Sequence, residues 1–296
     1  MAGTVNSATS SDISSSGKSV GRGVEKSGEQ HGERRGEQHA TGAIYSKLIS
    51  ARDSGRKSLC CYLMGGMSPD WQDVARAIEN GGADVIEIGL PFSDPMIDGP
   101  VIQRASKLSL DSGHSPMSVI DSMPGLDMSI PVAVMTYYNI IYRAGLYRMA
   151  GRIANAGISG SIIADLPVEE SESWVATAGD AGIENIMLVA PTTSPDRTKI
   201  ICDASQGFVY CVGTMGVTGE RDELPNSAKE VAAKVKAATD KPTLVGIGVS
   251  TPSQAASVCA IADGVILGSA IVRRVTEGEG ARGIENFVRL LRNSID

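Results

Sequence analysis

The chain has 296 residues, 42% of them hydrophobic, and a net charge of −7. That length suits one large α/β domain or two small ones, and the acidic balance argues against a nucleic-acid partner, whose phosphates want a basic face. No apolar run approaches the ~18 residues that a membrane span needs. The five Cys are odd in number and show no Cys-x-x-Cys spacing, which points to a reducing cytoplasmic setting with inert buried thiols rather than a disulfide framework.

Residues 1–41 are dominated by Ser, Gly, Glu, Gln and Lys/Arg, contain no aromatic side chain, and repeat Gly-Glu-Gln-His at 28–31 and 36–39. Such a segment buries too little apolar surface to offset its conformational entropy and is expected to be a disordered tail. Glu25, Glu29, Glu33 and Glu37 make it too acidic for a transit peptide. Residues 42–296 are expected to form one folded domain.

From Ile44 a helical spacing (Ile44, Leu48, Ile49) precedes a first strand over 59–63. A steady alternation follows: helix 70–80, strand 84–88, helix 101–110 with a second short helix from Pro116, strand 131–135, helix 146–156, strand 160–164 and helix 170–181. It continues with strand 185–189, helix 195–204, strand 208–212, helix 227–238, strand 243–247, helix 252–260 and strand 264–267, and closes with helices from Ala270 and over 281–292. Gly at helix ends and Pro or Ser at helix starts supply the punctuation. The strands are continuous apolar runs, as in parallel sheets buried on both faces. Eight such βα units predict an α/β fold of the (β/α)8 TIM-barrel type with an added N-terminal helix; a doubly wound open sheet is the alternative.

The most informative stretch is Glu87-Ile-Gly-Leu-Pro-Phe-Ser-Asp-Pro-Met-Ile-Asp-Gly-Pro100. Glu87 ends an apolar strand, where an ionised carboxylate is costly without a partner or a task. Asp94 and Asp98 follow in the loop, and a strand-end acid beside an acid-bearing loop suits proton transfer on a small molecule. In a barrel the chemistry sits at the C-terminal ends of the strands, where Asp165 and Tyr210 also fall. Gly246-Ile-Gly248, Gly268-Ser269 and the glycine-rich run 213–219 lie at the last three strand ends. That is the region where barrels of this type cradle phosphate on backbone N–H groups. Each residue also has a plainer reading. Glu87 could pair with a basic neighbour, Asp98 or Asp165 could cap a turn or helix, and Tyr210 could be a packing residue. Glu169-Glu170 most simply begin a helix, and His114 reads as a surface residue.

These residues resemble one family closely, the tryptophan synthase α subunit, over roughly 43–295. The resemblance rests on the 87–100 stretch with Ile102-Gln103, on 164–170 (Ala-Asp-Leu-Pro-Val-Glu-Glu), on 216–219 (Gly-Val-Thr-Gly), and on Gly246-Ile-Gly248 and 268–272. It implies retro-aldol cleavage of indole-3-glycerol phosphate to indole and glyceraldehyde 3-phosphate, with indole passed to a β subunit in an α2β2 assembly. Neither a metal nor an organic cofactor is implied. Glu87 and Asp98 match the family's catalytic carboxylates and Tyr210 a tyrosine beside them. Gly219, Gly248, Gly268 and Ser269 match the phosphate cradle, Tyr62, Met135 and Ile247 the walls around the indole, and Thr218 the anchor of a closing loop. Two loops depart from the family: Gly65-Gly-Met-Ser-Pro69, where Gly-Asp-Pro is commoner, and Thr214, where Arg or Lys is frequent.

Overall fold

The computed structural model describes residues 42–213 and 226–296. The expected tail and the expected ligand residues Thr218 and Gly219 lie outside the described residues.

Eight parallel strands close on one another in chain order: β1 (Ser58–Met64), β2 (Val85–Gly89), β3 (Val132–Thr136), β4 (Gly160–Ile163), β5 (Glu184–Val189), β6 (Val209–Val212), β7 (Thr243–Gly246) and β8 (Gly264–Leu267). The TIM barrel expected from the alternation is therefore the fold, and each strand lies within two residues of its expected ends. Around it run α1 (Ala43–Asp53), α2 (Trp71–Asn80), α3 (Pro100–Asp111), α4 (Pro116–Ser122), α5 (Tyr138–Ala144), α6 (Leu146–Asn155), α7 (Glu172–Asp180) and α8 (Pro195–Ala204). The outer layer finishes with α9 (Asn226–Ala238), α10 (Pro252–Cys259), α11 (Ser269–Thr276) and α12 (Ala281–Ile295). No helix among the described residues is long and apolar enough to cross a membrane.

The two-residue period of a strand sorts side chains between two cores. Cys60, Val85, Ala133, Ile162, Ile186, Phe208, Leu244 and Ile266 pack together inside the barrel. Their neighbours, such as Leu59, Ile86, Val134, Val245 and Val265, pack outward against the helices. The added helix α1 closes the floor by placing Ile44 and Leu48 in the inner cluster. Glu184 holds it there by accepting from the backbone N–H of Ile44 at 2.7 Å and of Tyr45 at 2.9 Å. All five cysteines are buried free thiols.

Helix starts follow the sequence signals: Ser115 and Thr251 make reciprocal capping boxes and Ser194 caps α8. Helix α5 has no counterpart in the sequence reading. It spans 7 residues and buries the adjacent Ile140 and Ile141, too short to show a helical period. Its first N–H is satisfied from a distant loop by Asp165, which no local pattern reveals. The helix expected over 170–181 begins at Glu172, because Val168–Glu170 form a separate 3-10 turn.

Candidate active site

A cavity of about 540 Å3 opens at the C-terminal ends of the strands. Tyr62, Glu87, Asp98, Met135, Tyr210, Ile247, Gly248, Gly268 and Ser269 all line it, together with Asp165. Every described residue matched above to a catalytic or substrate-binding position thus meets at one place, whereas Asp94, the other loop acid, does not line the cavity.

Glu87 forms the floor on the β2 side, 1% exposed. It is the register partner of Tyr62 on β1 and of Ala133 on β3, so an aromatic and a small residue flank it. Neither carboxyl oxygen has a hydrogen-bond partner among the described residues. The ion pair weighed from sequence is therefore not seen there, and a buried carboxyl without such a partner is costly when ionised. Burial, and then the charge of Asp98, push its carboxyl up to about 8. At neutral pH it is mainly a carboxylic acid aimed into the cavity.

Asp98 sits across the cavity in the loop that leads to α3. It does not cap that helix, since Gly99 is the capping residue and no side chain contributes. Instead its Oδ2 accepts from the Tyr137 hydroxyl at 2.9 Å. Burial raises its carboxyl above the ordinary range, and the Tyr137 bond works in the opposite direction. The loop is pinned to α3 by Ser106, whose Oγ accepts from the Phe92 N–H and donates to the Phe92 carbonyl, both at 2.8 Å.

Tyr62 and Tyr210 face the cavity as neutral phenols, because burial holds both hydroxyls well above the ordinary tyrosine range. Glycine clears the space for one of them: a Cβ at Gly89 would lie 2.0 Å from the Tyr62 hydroxyl. On the opposite side, Gly248 adopts φ +74, a conformation that side chains disfavour. Ser269, 4% exposed, is the first residue of α11. Gly268 and Ser269 thus bring the start of α11 to the cavity wall with no side chain capping it, a setting that favours an anion.

Three residues depart from the sequence reading or add to it. Asp165 is a cap, as its plainer reading held, but for α5 rather than for its own turn: it accepts from Tyr138 N–H at 2.7 Å. Glu169 sits in the first turn of the short 3-10 helix ahead of α7, as expected of a helix-starting acid, and also pairs with Arg197 on the cavity rim, which the sequence did not show. His114 is half-buried and packs over Gly66, where a Cβ would lie 2.6 Å from its ring. Tyr137 was missed by the sequence reading. Its signal was position, one residue beyond the end of β3, where a barrel places its site residues.

Four comparisons bear on descent. The family profile described as tryptophan synthase alpha chain matches residues 48–294. The tryptophan synthase alpha chain of Methanosarcina barkeri is 41% identical over 80% of this chain and 90% of its own length. That of Synechocystis is 40% identical over 87% of this chain and 99% of its own. Among solved structures, Mycobacterium tuberculosis tryptophan synthase superposes with a TM-score of 0.79 at 35% identity, covering 86% of this chain and 98% of that one. The matched span takes in all eight strands of the barrel, and the chain belongs to the tryptophan synthase alpha chain family.

Proposed function

We propose that the chain cleaves indole-3-glycerol phosphate to indole and glyceraldehyde 3-phosphate and passes the indole to a tryptophan synthase β subunit. The observation that carries this reading is the buried Glu87 carboxyl, whose oxygens have no partner among the described residues and which burial keeps protonated near neutral pH.

The reaction needs a proton at indole C3 and the loss of one from the adjacent glycerol hydroxyl. Glu87, neutral at the start, donates its proton to C3 and leaves a positive charge spread toward the ring nitrogen. Asp98 accepts the indole N–H and stabilises that charge as it develops. The bond from C3 to the glycerol carbon then breaks, and its electron pair restores the aromatic ring. The glycerol hydroxyl becomes the aldehyde as its proton passes to the Glu87 carboxylate, which returns the acid for the next turnover. Tyr210 and Tyr62, held neutral, pack and donate beside Glu87 rather than act as bases. Met135 and Ile247 wall the indole, while Gly248, Gly268 and Ser269 hold the phosphate at the start of α11.

The β subunit docks on the same end of the barrel. Met96 is 86% and Tyr142 68% exposed, with Ile97 between Met96 and Asp98. Ile97, 51% exposed, also lines the cavity, and exposed apolar side chains on the loop that carries Asp98 favour a protein partner.

Incubation with indole-3-glycerol phosphate, with and without a β subunit, tests the reading. It predicts indole and glyceraldehyde 3-phosphate in equal amounts and faster turnover with β. Failure to form either product with β present overturns it.

A further inference from the structure

Along the cavity rim, the connections after β2 to β6 are each tied to the next by a side chain. Tyr137, after β3, donates to Asp98, after β2, at 2.9 Å. Asp165, after β4, accepts from the Tyr138 N–H that opens α5, after β3, at 2.7 Å. Arg197 on α8, after β5, donates to Glu169, after β4, through two parallel bonds of 2.7 and 2.8 Å. Lys234 on α9, after β6, donates to the carbonyls of Pro191 and Thr193, after β5, at 3.0 and 2.6 Å. The ties span five successive connections without a gap, and Asp98, Asp165, Thr193 and Arg197 all line the cavity.

Fold stability does not account for the most exposed link. The Arg197 and Glu169 side chains are 41% and 56% exposed, and such pairs add little to stability. Geometry is where a bidentate pair acts, because two parallel bonds fix both distance and angle between the pieces they join. Asp98 needs that service, since it stands in a loop and must face Glu87 on a strand across open space.

We propose that these ties act in series as one hoop that sets where Asp98 stands relative to Glu87, so that Asp165, Glu169 and Arg197 are positioning residues for a reaction none of them touches. The functional readout rests on the lyase reading. A series arrangement has a mechanical signature. Once the hoop is cut at any link, the connections on both sides relax, and a second cut releases little more. Independent local supports behave differently: distant residues without shared partners have additive effects.

The test is a double-mutant cycle on indole release with Asp165→Ala, Arg197→Leu and their combination. A charge-swapped pair, Glu169→Arg with Arg197→Glu, rebuilds one link with its partners exchanged. The hoop predicts a fall of about fivefold in kcat for each single variant, with KM within about twofold, because a misplaced group costs rate more than binding. It predicts about fivefold, not about 25-fold, for the combination, and recovery of most of the kcat in the charge swap. Additive losses, or single variants with wild-type kcat, overturn it.

A second readout needs no activity. Amide hydrogen exchange at Tyr138, whose N–H is held by Asp165 and not by Arg197, should accelerate in Arg197→Leu and return in the charge swap. Unchanged exchange at Tyr138 overturns the hoop. If the wild-type chain released no indole, the lyase reading would fall and the exchange result alone would decide on the hoop.

Discussion

Tyr137 and Asp98 stand on neighbouring connections of the barrel and share a 2.9 Å hydrogen bond in which the phenol donates. The same phenolic oxygen accepts from the Ile97 N–H at 3.4 Å, and the Phe92 ring lies 4.9 Å from the Tyr137 ring. Asp98 is therefore oriented from outside its own loop, before any ligand arrives.

Replacing Tyr137 by Phe removes that bond while keeping the ring. Burial raises the Asp98 carboxyl and the Tyr137 bond lowers it, so the variant's Asp98 titrates at higher pH. The expected result is a kcat about ten- to a hundredfold lower, the scale of one hydrogen bond to a charged group, with the acid limb of the pH–rate profile displaced upward. Steady-state kinetics across pH check both. An acid limb that stays in place would separate Tyr137 from Asp98 in function.

Glu87 gives the opposite limb. As the starting proton donor it must be neutral, so kcat should fall as pH rises through about 8. The same shift affects stability. Between the ordinary carboxyl value of 4.5 and about 8, the folded chain keeps the Glu87 proton that the unfolded chain has lost. The folded state binds more protons in that window, so stability declines as pH rises across it. Glu87→Gln has no such group, and its stability relative to wild type should climb over the same window by on the order of a few kcal/mol. Urea unfolding of both proteins from about pH 5 to about pH 9 measures the difference, and a constant difference would contradict the shift.

A separate ionic cluster locks the C-terminal helix under the barrel. Arg292, 7% exposed in its side chain, meets Asp84, 3% exposed, at 2.9 Å. Asp84 also accepts from the Leu59 N–H at 2.9 Å, and Arg292 donates to the Lys57 carbonyl at 2.6 Å. Truncating Arg292 to Ala leaves the buried Asp84 carboxylate with only the half-exposed Arg56 at 3.3 Å and the Leu59 N–H, and should cost about 2 kcal/mol in unfolding free energy, the scale of a lost charged hydrogen bond. The site lies away from the cavity, so kcat at a temperature where the variant is folded should match wild type. Chemical denaturation and indole release together check this.

Much of this architecture was legible in the sequence because its signals are local. Continuous apolar strands, glycine stops and Ser or Thr caps repeat through the barrel, and Glu87 stands out as the one acid inside an apolar strand that runs into an acid-bearing loop. Long-range effects were not legible. The first N–H of helix α5 is satisfied by Asp165, 27 residues away, and Asp98 accepts from Tyr137, 39 residues away, rather than capping the helix it precedes. Glu169 is the helix-starting acid that it reads as, but its pairing with Arg197 is made only by the fold. In each case the deciding partner comes from the neighbouring βα connection, which spacing within one segment does not show.

The central claim is that Glu87 carries the proton chemistry, and one measurement tests it most directly: indole release by Glu87→Gln against wild type, with glycerol phosphate binding measured on both. Glutamine keeps the shape and loses the proton, so the expected result is a fall of at least about a thousandfold in kcat, the scale of a general acid–base contribution, with glycerol phosphate bound as tightly as before. A variant that releases indole at a rate near wild type would contradict the account, because the cleavage would then proceed without the carboxyl on which it is built.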